Sequence, residues 1–185
     1  MNCDLAKHNS TSDKVLVGVA FYKARYGRIF SKGISVVSRS PYSHVELAFP
    51  TISLTNEAGT RMIKCWSSSE RDEGVRWKHI DLDYKWDVVY FHITVAQFEY
   101  LVDLCDALVG LTYDWLGIKA FLFWWRSQNQ QEWFCSEAVA DRLAKIEAIK
   151  LPLPASKITP GKLYDIAKMQ LESPGATMEG SSTPS

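Results

Sequence analysis

The sequence predicts an α+β fold, an antiparallel sheet packed against helices. Three observations predict it. Short apolar or alternating segments are grouped in the first half of the chain. Segments at helical spacing follow from residue 94 onward. The length, 185 residues, suits one domain with a core of its own.

The first strand is expected at VLVGVAFY, residues 15–22, a short run rich in β-branched residues. In YGRIFSKGISVVSRS, the residues Ile29, Phe30, Ile34, Val36 and Val37 give an imperfect helical stripe, interrupted by Gly33 and ended by Pro41. This predicts a short helix. SHVELAF, residues 43–49, alternates: His44, Glu46 and Ala48 on one face, Val45, Leu47 and Phe49 on the other. RMIKCWSS, residues 61–68, is its expected antiparallel neighbour, with TNEAGT as the turn; GVRWKHIDL and WDVVYFHI supply two more strands.

Thr94 and Gln97 match a capping box, in which two side chains satisfy free amides of a first helical turn. Phe98, Leu101, Val102, Cys105, Leu108 and Val109 then recur at helical spacing, and Gly110 stands where a C-terminal cap belongs. A second helix is expected from about Phe134 to Ile149, with Val139, Leu143 and Ile146 facing inward. GKLYDIAKMQL reads as a last short helix after a proline-rich connector. The expected organisation is a leader over residues 1–13, one domain over 14–172 and a disordered tail over 173–185, which is rich in Ser, Gly, Thr and Pro.

Lys plus Arg total 21 and Asp plus Glu total 21, a balance that argues against a general nucleic-acid binder and against a polybasic membrane anchor. No run reaches the roughly 18 apolar residues of a spanning helix. The opening MNCDLAKHNSTSDK is too polar for a secretory signal, so a cytoplasmic protein is expected, or one carried elsewhere by an assembly such as a virion. Four cysteines, Cys3, Cys65, Cys105 and Cys135, form no CxxC pair, which fits reduced thiols.

Two places join reactive side chains to a defined local geometry. Cys135 falls where a helical pattern begins. Free amides and the helix dipole there favour negative charge, the setting in which a thiol ionises and acts as a nucleophile. The same amides can stabilise an oxyanion. Cys105, by contrast, lies in an apolar stripe and reads as core filling. His44 lies on a strand, where a neutral imidazole can take a thiol proton and return it to a leaving group. Glu46 shares its face and can orient the ring as the third member of a triad does. Residues two apart on a strand stand about 6.5 Å apart, so Lys64 or Ser67 on the adjacent strand is an alternative holder of the ring. The remaining histidines, His8, His79 and His92, read as structural.

At these residues the sequence resembles the circularly permuted NlpC-type cysteine peptidases, a branch of the papain-like fold whose permuted order is shared by relatives of lecithin–retinol acyltransferase. The histidine strand, SHVELAF, precedes the cysteine helix, WFCSEAVADRL, as in the permuted members. LTYDWLG resembles the tyrosine-containing region before the cysteine, and SKITPGKLYDI the closing segment after it. The resemblance implies a permuted papain-like fold, Cys135 as nucleophile, His44 as base and Glu46 as third residue. Tyr113 would line the site or help the oxyanion. It implies an acyl-enzyme at an amide, ester or thioester carbonyl, with no metal or other cofactor. The sequence around the nucleophile is FCSE, not the DCSG-like form of unpermuted cell-wall enzymes, which weighs against a free secreted peptidoglycan peptidase.

The stretch FLFWWRSQNQQEW leads into Cys135. It reads either as core packing or as an apolar substrate pocket that includes Trp124, Trp125 and Trp133. The expected partner is a peptide, amide or lipid-linked acyl substrate. Two rivals remain. HVE at residues 44–46 matches half of a zinc deaminase signature, but FCSEAV lacks the second cysteine and the proline of the other half. The second rival is a structural or binding protein, for example a virion component, that retains the fold without activity.

Overall fold

A computed structural model describes residues 14–26, 40–69, 72, 74–110 and 133–172. They form a mixed α+β fold, a five-stranded antiparallel sheet packed against three helices. The strands are β1 (Lys14–Lys23), β2 (Tyr42–Thr55), β3 (Arg61–Ser69), β4 (Gly74–Ile80) and β5 (Trp86–Thr94). The helices are α1 (Val95–Asp106), α2 (Trp133–Lys145) and α3 (Pro160–Leu171). The sheet order is β4-β3-β2-β1-β5.

All five expected strands form, and β2 and β3 pair as a hairpin. Its turn is held by Asn56, whose Oδ1 accepts from the backbone of Ala58 at 3.0 Å and of Thr60 at 2.9 Å, while Gly59 takes a φ of 78°. β2 runs past its expected end at Phe49. Pro50 cannot donate to a ladder, and the register breaks between Phe49 and Ser53, so the proline sits in an irregularity from which pairing resumes. The helix expected after β1 lies outside the described residues except at its edge, where Ala24–Tyr26 make one 3-10 turn.

The sheet is strongly coiled. Five residues join β4 to β5, which lie at opposite edges. Such a link reaches roughly 20 Å. In a flat sheet the edges alone would stand about 19 Å apart. The strand ends would also be offset by roughly 20 Å along the strands, because Ile80 pairs with Ile63, while Trp86 aligns through Tyr22 and His44 with Ser69, six residues along β3. Coiling closes that gap. It needs small side chains on the inner face, and these are Gly18, Ala20, Ala48 and Cys65. The last three form a buried cluster with Ile63, against which Ile80, Leu82, Trp86 and Val88 pack. A Cβ at Gly18 would meet Val88 and Tyr90 at 3.0 Å.

The other face carries the main core. Val17, Val19, Phe21, Val45, Leu47, Phe49 and Trp66 pack with Leu101 of α1, Val139 and Leu143 of α2 and Leu163 of α3. The alternation read for residues 43–49 therefore sorts its apolar residues as expected. α1 starts with the capping box, Gln97 N donating to Thr94 Oγ1 and Thr94 N to Gln97 Oε1. It ends at Asp106 and relaxes through tighter turns to Gly110 at φ 78°, so the glycine closes the turn after the helix, not the helix itself. α2 ends four residues before Ile149. Glu147 takes a φ of 59° and Ala148 N reaches back to Leu143 O at 2.9 Å, a left-handed stop made without glycine. Among the described residues, no helix is long and apolar enough to cross a membrane.

Candidate active site

Buried β2 carries a carboxylate where an apolar side chain would be ordinary. Glu46 is fully buried, and a lone ionised carboxylate there would be costly. Three charged hydrogen bonds compensate. His44 Nε2 donates to Oε1 at 2.8 Å, Arg76 Nη2 to Oε1 at 2.7 Å and Arg76 Nη1 to Oε2 at 2.8 Å. Burial pushes the Glu46 carboxyl up, but the His44 and Arg76 bonds outweigh it and hold the group below its ordinary range.

The question of which group holds the ring thus has an answer in Glu46. Lys64 lies over the Trp77 ring instead, 4.6 Å from its centroid, and Ser67 Oγ donates to Val45 O at 2.6 Å. Ser67 still matters to the site. It is the β3 partner of Arg76 and stands one step along from the Leu47–Trp66 pair. Arg76 therefore reaches Glu46 across β3, past a side chain short enough to leave room.

The His44 ring stands at the end of the coiled sheet, with Trp86 edge-on at 6.3 Å between centroids. Its β1 partner is Tyr22, next to a register break at Tyr22/Lys23. Such breaks bend a strand and re-aim its side chains. The ring is one-quarter exposed. Besides Glu46 it interacts with Cys135. Burial lowers its affinity for a proton, but the interactions with Cys135 and with the Glu46 carboxylate raise its pKa to about 10. The ring is therefore held as an imidazolium beside the Glu46 carboxylate.

Cys135 is the third residue of α2 and is 2% exposed. This is the first helical turn, where backbone N–H groups have no partner within the helix. Ser136 Oγ donates to Ile158 O at 2.7 Å and ties that turn to the connector before α3. Farther along, Val139, Ala140 and Leu143 fix α2 in the core. The cysteine is thereby placed by packing on one side and a buried hydrogen bond on the other.

The structure brings Cys135, His44 and Glu46 together. Of the residues expected to line a pocket, Tyr113, Trp124 and Trp125 lie outside the described residues, and Trp133 contributes its place as the first residue of α2. Cys65 and Cys105 are fully buried, and burial pushes both thiols far up. Among the described residues no three or more His, Cys, Asp or Glu are grouped to hold a metal ion.

Arg76 is the member that sequence reading missed. The signal was present in two halves, a carboxylate in an apolar strand that needs a countercharge and an arginine in the equally apolar GVRWKHI. Only the sheet order joins them. Asp72 extends the chain outward, its Oδ2 accepting from Arg76 Nε at 2.8 Å and its Oδ1 from Lys78 Nζ at 2.8 Å. Compared with known proteins, the chain matches no family model, no curated protein and no solved structure.

Proposed function

We propose that the chain is a cysteine-dependent hydrolase of amide, ester or thioester bonds, built as a circularly permuted papain-like domain. One observation carries the reading: the His44 ring is hydrogen-bonded to a buried carboxylate and interacts with a cysteine in the first turn of a helix. A structural histidine needs one good partner. A ring that a buried carboxylate holds near a thiol has the order of a nucleophile, a base and an orienting group.

In this reading Nε2 is committed to Glu46, so Nδ1 is the nitrogen left to the sulfur. The Cys135 sulfur attacks the substrate carbonyl, a C–S bond forms, and the carbonyl pair moves onto oxygen. Backbone amides of the first α2 turn stabilise that oxyanion. Collapse breaks the bond to the leaving group, which takes the proton from His44. Water then attacks the acyl carbonyl as His44 accepts its proton, the C–S bond breaks with its electron pair returning to sulfur, and the carboxylic acid leaves with protonated His44 beside Cys135 restored. The substrate is a peptide, an amide or a lipid-linked acyl group.

The test is iodoacetamide labelling read for each cysteine by mass spectrometry, in wild type and in His44→Gln. Both proteins present the same buried cysteine, so the ratio of rates reads reactivity and not access. A fall of about tenfold or more at Cys135 supports the pairing. Equal rates remove it and favour the non-catalytic binding reading.

A further inference from the structure

Resting on the reading of Cys135, His44 and Glu46 as reacting groups, we infer that Arg76 is a positioning residue of the same site, which keeps Glu46 ionised and aimed at the His44 ring. The geometry is a two-pronged fork. Both guanidinium nitrogens Nη1 and Nη2 reach the carboxylate, at 2.8 Å and 2.7 Å, and Nη2 shares Oε1 with the ring. A carboxylate bound at both oxygens cannot rotate away from the imidazole. The arginine is itself held, because Nε donates to Asp72.

Charge supports the same role. The Glu46 carboxylate lies between two cations, the protonated His44 ring and Arg76. Removing Arg76 leaves the ring as the one charged partner of the buried Glu46 carboxylate, which makes proton uptake there easier. The groups facing Glu46 are few. Ser67 lies between on β3 and does not titrate, and Cys65 on the same strand is a buried thiol. Tyr22 and Trp86 flank His44 from β1 and β5. Asp72 and Lys78 lie beyond Arg76 and pair with each other. Among these described residues, Arg76 is the only cation in direct contact with Glu46 besides the ring.

Lysine cannot reproduce this. It would keep a positive charge but offer a single point of contact, leaving one Glu46 oxygen without its partner. The two substitutions therefore separate charge from fork.

The experiment is the pH profile of iodoacetamide labelling at Cys135 in wild type, Arg76→Met and Arg76→Lys, with circular dichroism to check the fold. Arg76→Met is expected to move the acidic limb of the profile up by about one pH unit, and Arg76→Lys to move it by a fraction of that. A purely structural arginine would lower thermal stability and leave the limb in place. An unmoved limb in folded Arg76→Met overturns the inference; if that variant does not fold, an unmoved limb in Arg76→Lys does so. The underlying reading fails separately, through a wild-type Cys135 whose labelling does not depend on His44.

Discussion

Glu46→Gln is the most informative single change in the fold, because the side chain keeps its size and loses only its charge. The carboxylate accepts three charged hydrogen bonds within 2.8 Å in a fully buried position. A glutamine offers one oxygen and an NH2 group, so at least one of the three donors, two on Arg76 and one on His44, would face another donor. Breaking a buried pair by removing one partner costs about 3–5 kcal/mol. Arg76 retains Asp72 and some solvent, which places this case near the lower end, about 3 kcal/mol. For a domain of this size that is a fall in Tm of roughly 6–12 °C.

The loss also has a pH signature. The Glu46 carboxyl is held below its ordinary 4.5 in the folded protein. Its contribution is therefore fully present above that value and is lost as pH falls through the lower, folded value. Urea unfolding at pH 7 should show the full gap between wild type and Glu46→Gln, and the gap should narrow as the pH falls below 4.5. A gap under about 1 kcal/mol at pH 7, the range of an exposed pair, would refute the picture of a buried, doubly paired carboxylate.

Three further outcomes follow from the same geometry. Hydrolysis should decline on the alkaline side as His44 loses its proton near pH 10, and Glu46→Gln should bring that decline to lower pH; a profile flat through pH 10 would separate the ring from proton delivery. In native protein iodoacetamide should spare Cys65 and Cys105, both 0% exposed and pushed up by burial, and should reach them only after denaturant is added. Gly18→Leu should destabilise by roughly 1–3 kcal/mol in thermal or urea unfolding, since even a Cβ there meets Val88 and Tyr90 at 3.0 Å; an unchanged midpoint would argue against the tight inner curve of the sheet.

What the sequence made legible was local. Thr94 and Gln97 announced α1 because both partners of a capping box lie within one turn. The alternation in SHVELAF placed His44 and Glu46 together because strand periodicity needs no partner. Cys135 stood out because a helix start is readable from pattern, and the helix begins two residues before it. The helical pattern overruns the end of α2 because Glu147 adopts a left-handed conformation that usually calls for glycine. β2 was read too short because Pro50 ends ladders more often than it sits within an irregular one. Arg76 was invisible for a different reason. Its link to Glu46 spans 30 positions and depends on β3 lying between β2 and β4, which periodicity does not encode. The coil of the sheet was equally out of reach, since it follows from β5 pairing with β1 at the far edge.

The most direct measurement is acyl trapping. The protein would be incubated with a nitrophenyl ester, quenched in acid and digested, and the peptide containing Cys135 weighed. A hydrolase that works through Cys135 and His44 gives a peptide heavier by one acyl group in wild type, with none in Cys135→Ala and far less in His44→Gln. An acyl group carried equally by wild type and His44→Gln, or found on other residues and never on Cys135, would contradict the central claim.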